Sequence, residues 1–76
     1  MSNVDILIYV HPELPADDRA RLENTVRTRA GVLGASFDHH AHPHALMVKY
    51  DSDATSGTEI LLVVRQTDPV ATMVGL

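Results

Sequence analysis

The chain predicts an α+β fold whose elements run strand, helix, strand, strand, helix, strand, and three observations carry that expectation. Residues 5–10 form a β-branched and aromatic run, and apolar residues alternate within 32–38 and 46–50, the patterns of strands. Helix-start signals stand at Pro15 and at Ser56-Gly57-Thr58-Glu59. His11-Pro12, Gly31 and Asp68-Pro69 punctuate these segments where proline or glycine ends regular structure.

Asp5-Ile6-Leu7-Ile8-Tyr9-Val10 reads as the first strand, stopped by His11-Pro12 because the residue before a proline is pushed toward extended backbone. A helix follows from about Pro15, since proline suits a first helical turn. Asp17 and Asp18 complement its positive end, and Arg27 and Arg29 its negative end. Its apolar stripe is narrow, Leu22, Val26 and Ala30, and Gly31 is expected to cap it. Leu33, Ala35 and Phe37 alternate in the second strand, and Leu46, Val48 and Tyr50 in the third. These two strands form a hairpin across a histidine-rich connection. After the polar stretch 51–55, Ser56 and Glu59 have the spacing of a capping box, opening a second helix through Ile60, Leu61, Val63 and Val64. Asp68-Pro69 stops it, and residues 70–74 form the last strand.

That order defines a ferredoxin-like βαββαβ arrangement, a four-stranded antiparallel sheet with two helices on one face. The 76 residues form one domain without an internal linker, burying roughly 60% of the surface its unfolded chain exposes, so the core is thin. If Ile6, Ile8 and Val10 face the helices, Leu7 and Tyr9 face away, with Met47 beside them on an open sheet face. An apolar open face is a candidate surface for a homo-oligomer or a partner protein; the alternative is ordinary scattered surface apolar residues.

Ten acidic residues against six basic ones give a net charge of −4, which opposes phosphate contacts and argues against nucleic acid. The start Met-Ser-Asn-Val-Asp lacks the basic and apolar regions of a secretory signal. No apolar run approaches the length of a spanning helix, so no membrane insertion and a cytoplasmic location are expected. The chain has no cysteine, which removes disulfides, thiolate metal sites and thiol catalysis together.

The chain resembles the heavy-metal-associated domain family over its whole length. The resemblance rests on Leu22 and Val26 before Gly31-Val32, on Ala35 and Phe37, on Val48-Lys49-Tyr50-Asp51, on Ile60 and Val64, and on Ala71 with Val74-Gly75-Leu76. It implies the ferredoxin-like fold and metal handling. The family's Met-x-Cys-x-x-Cys signature, in the loop entering the first helix, is replaced here by Glu13-Leu14-Pro15-Ala16-Asp17-Asp18, with Pro15 and Asp18 at the two cysteine positions. Cuprous copper prefers thiolates, so the family's copper site does not carry over.

Four histidines fall within six residues, His39-His40-Ala41-His42-Pro43-His44, and they are the candidate substitute site. Neutral imidazoles suit a divalent metal such as zinc, nickel or cupric copper better than calcium or magnesium, and Asp38 can add an oxygen ligand. An extended backbone would put His40, His42 and His44 on one side, although Pro43 and the need to turn oppose a straight segment. His11 is left outside the cluster.

Three other readings stand beside this one. The cluster is a solvated loop that binds metal adventitiously; it is a proton sensor in which crowded imidazoles disfavour one another's charge; or the chain is a metal-independent interaction or self-assembly module using its open sheet face or an edge strand. Catalysis is not expected, because no phosphate loop, nucleophile elbow or separated carboxylate–histidine constellation stands out.

Overall fold

The computed structural model describes residues 2–38 and 42–75. The elements are β1 (Asn3–Tyr9), α1 (Ala16–Arg27), β2 (Val32–Asp38), β3 (His42–Asp51), α2 (Gly57–Arg65) and β4 (Thr72–Gly75), in the expected order. The strands form one antiparallel sheet in the order β2-β3-β1-β4, the ferredoxin-like topology.

Alternation in β1 sets the layers. Ile6, Ile8 and Val10 are buried with Leu46, Val48 and Tyr50 of β3 against Leu22 and Val26 of α1 and Ile60, Leu61 and Val64 of α2. The opposite parity leaves Leu7 and Tyr9 half-buried and Met47 exposed on the other face, as the alternation requires. The register aligns Ser36, Met47, Leu7 and Val74 in one row across all four strands.

Each helix start follows its sequence signal with one adjustment. Ser56 is the N-cap of α2, its hydroxyl accepting the Glu59 N–H at 3.2 Å. The Glu59 carboxylate accepts from the Thr55 hydroxyl at 3.0 Å, so it bonds a neighbouring side chain instead of closing the box on Ser56. Pro15 stands at the N-cap of α1, one residue before the helix, with ψ of 151°.

Three expectations fail locally, each for a backbone reason. Leu33 is 54% exposed: a register shift pairs Val32 with Tyr50 but Gly34 with Lys49, so Leu33 is the extra residue of a bulge and Val32 takes the core-facing place. α1 ends at Arg27 with Thr28 as C-cap, so Ala30 lies beyond the helix and is exposed, and Gly31 does not cap it. Gly31 instead takes φ of +88° immediately before β2, where a Cβ would meet the Ala54 Cβ at 2.9 Å and the Thr55 Cγ2 at 3.0 Å. The last strand begins at Thr72, and Val70 sits in the preceding turn, 61% exposed.

Candidate metal site

Antiparallel pairing of β1 with β3 brings the end of one strand to the start of the other. The Val10 N–H donates to the His44 carbonyl at 2.9 Å, so the loop leaving β1 and the connection entering β3 occupy the same end of the sheet. The His44 ring is half-buried and packs against Tyr9, their centroids 5.7 Å apart and tilted by 49°. This contact gives one imidazole of the sequence cluster a fixed neighbour.

The backbone of His42 belongs to β3 and pairs with Asp38 of β2, after a second register shift between Phe37 and Asp38. Two residues of metal-ligating type therefore occupy facing positions at the head of this hairpin. His39 and His40 lie outside the described residues, as do the side chains of Asp38 and His42. Among the described residues, no group of three or more histidine, cysteine, aspartate or glutamate side chains is placed to hold a metal ion.

His11 shares this end of the sheet but is already engaged. Its Nδ1 accepts the Glu13 N–H at 3.0 Å, which in the neutral ring assigns the proton to Nε2 and makes that outer nitrogen a donor. Ligation through Nε2 would require the other tautomer and the loss of this bond. Asp17 and Asp18 lie in the first turn of α1, where they complement the helix dipole. Pro15 thus serves as the helix boundary and Asp18 as a first-turn charge.

Sequence reasoning missed Asp68, which it treated only as part of a helix stop. Its side chain is buried, one oxygen accepting the His11 N–H at 2.6 Å and the other the Val70 N–H at 3.3 Å. Asp68 therefore fixes where the β1–α1 loop leaves the sheet while closing the turn around Pro69. The available signal was Asp-Pro itself, since aspartate commonly accepts from the backbone N–H two residues on.

Comparison with solved structures places this architecture among copper-binding domains at the level of fold. A copper form of a CopA variant from Bacillus subtilis superposes with a TM-score of 0.70 at 20% identity, over 96% of this chain and 91% of that one. A copper-binding domain from HMA7, a P-type ATPase, gives 0.74 at 16% identity, over 96% and 93%. The yeast copper transporter domain Ccc2a, determined in apo and Cu(I)-loaded states, gives 0.72 at 14% identity, over 96% and 94%. No family model matches the chain, and no curated protein matches it. The chain thus shares the ferredoxin-like fold of these three structures, and it contains no cysteine. Among the described residues, no helix is long and apolar enough to cross a membrane.

Proposed function

We propose that this chain is a metal-handling module whose ligands come from the histidine hairpin between β2 and β3 instead of from cysteines in the loop entering α1. The observation that carries this reading is the backbone pairing of Asp38 with His42, at the sheet end where the β1–α1 loop also lies. Ligand-bearing residues thereby move from one loop to its neighbour while staying at the same pole of the fold. His39, His40, His42 and His44 supply imidazoles and Asp38 a carboxylate, a donor set suited to zinc, nickel or cupric copper. The likeness to copper-binding domains supports metal as cargo, and the missing thiolates argue for a divalent ion over Cu(I).

Calorimetric titration of the tag-free chain with Zn²⁺, Ni²⁺ and Cu²⁺ at neutral pH tests this. Binding at one equivalent that is lost on His40→Ala, His42→Ala and His44→Ala together supports the reading. Binding that this triple variant keeps contradicts it.

A second reading rests on the open sheet face. The row Met47–Leu7–Val74, with Tyr9 beside it, makes an apolar band on the side away from the helices, and a partner protein docking there would need no metal. Under that reading Leu7→Lys weakens association and the histidine substitutions leave it intact.

A further inference from the structure

The two edges of the sheet differ in how their backbone is covered. In β2, Ala35 and Phe37 turn their peptide groups outward, away from β3, and α1 meets them. Arg27 Nη2 donates to the Ala35 carbonyl at 2.8 Å, and Glu23 Oε2 accepts the Phe37 N–H at 2.9 Å. Glu23 and Arg27 are themselves paired at 2.9 Å, so one ion pair supplies an acceptor and a donor where another strand would bind. β4 has no such guard among the described residues. Arg65 Nε donates to the Ala71 carbonyl at 2.9 Å, but beyond it Thr72-Met73-Val74-Gly75 carries no charged residue and no proline.

Register fixes which groups this second edge offers. The Val10 N–H bonds to β3 and the His11 N–H points to the Asp68 side, so odd residues of β1 face β4. Leu7 and Tyr9 therefore bond to Val74 and Thr72, leaving the peptide groups of Met73 and Gly75 directed outward.

We propose that β4 pairs with β4 of a second copy of this chain, antiparallel about a two-fold axis at Val74, to make a continuous eight-stranded sheet. The edge is self-complementary: Met73 faces Gly75 of the other copy in both directions, for about four backbone hydrogen bonds. Val74, 46% exposed at the end of the open-face band, then meets its own counterpart, and the Met47–Leu7–Val74 row of each copy joins the other. Residues 72–75 carry no charge, so pairing β4 with its copy sets no like-charged side chains of the strand against each other although each chain has a net charge of −4. Nothing in this pairing uses the histidine hairpin, so it stands or falls independently of the metal reading.

Sedimentation equilibrium with chelator present tests the proposal. Wild type should dimerise reversibly, Val74→Lys and Val74→Glu should each be monomeric through like-charge repulsion at the axis, and an equimolar mixture of the two should recover the dimer. Met47→Lys, two strands away from the edge, should dimerise as wild type does. A wild-type chain that stays monomeric into the millimolar range overturns the proposal and leaves the edge to a foreign strand. Dimers of Val74→Lys, a mixture that stays monomeric, or loss of the dimer in Met47→Lys overturn it too. On the unaltered chain, exchange of the Met73 and Gly75 amide protons should slow as concentration rises. Unchanged exchange contradicts the pairing even if a variant fails to fold.

Discussion

The carboxylate of Asp68 accepts the backbone N–H of His11 at 2.6 Å across a separation of 57 residues, tying the loop after β1 to the turn before β4. Because Asp68 is buried, removing its carboxylate strands two N–H groups, those of His11 and Val70. Asp68→Ala should lower stability by about 2 kcal/mol in urea unfolding, with faster amide exchange at both positions. Asp68→Asn keeps one acceptor oxygen and should cost about half as much.

Gly31 and Gly34 should respond to alanine in opposite ways. Gly31→Ala puts a Cβ on a residue at φ of +88° and against Ala54 and Thr55, and should destabilise by about 2 kcal/mol. An added Cβ at Gly34 meets nothing within 4 Å, so Gly34→Ala should be neutral or stabilise by about 0.5 kcal/mol. Thermal melts of the two variants against wild type check the contrast.

Ser56→Ala removes the N-cap of α2, a helix whose Ile60, Leu61 and Val64 close the core. The expected loss is about 1 kcal/mol, and Ser56→Asp should recover most of it because a carboxylate caps the same N–H and favours the helix dipole. Urea midpoints at constant slope measure both.

Glu23→Ala should uncover the β2 edge. It frees the Phe37 N–H and leaves Arg27 without its carboxylate, for a stability loss of about 1 kcal/mol because water can replace part of the bond at a sheet edge. Glu23→Gln retains an acceptor and should lose less. Faster exchange of the Phe37 amide in the alanine variant alone is the expected signature.

The element order was legible because strand alternation and helix-start signals agreed along the chain. Ile6, Ile8 and Val10 turned inward as their spacing required, and Ser56 capped where Ser-x-x-Glu placed it. Leu33 was misread because a bulge interrupts parity through backbone pairing, which alternation of side-chain types does not encode. Gly31 was misassigned because a glycine after a helix and a glycine before a strand look alike until φ is known. For the candidate site, the histidine run is visible in sequence, and antiparallel register then sets His11 at the same end. The hydrogen bond that holds the His11 ring, and the buried role of Asp68, depend on contacts across loops far apart in sequence.

Metal binding at the β2–β3 hairpin, in place of the loop entering α1, is read out by NMR shift mapping during a zinc titration. At one equivalent of Zn²⁺, the amides of residues 38–42, 44 and 45 and the imidazole protons of His44 should shift or broaden, with the Tyr9 ring following its neighbour, while residues 13–18 stay in place. Shifts centred on residues 13–18, or none up to one equivalent, would contradict the account.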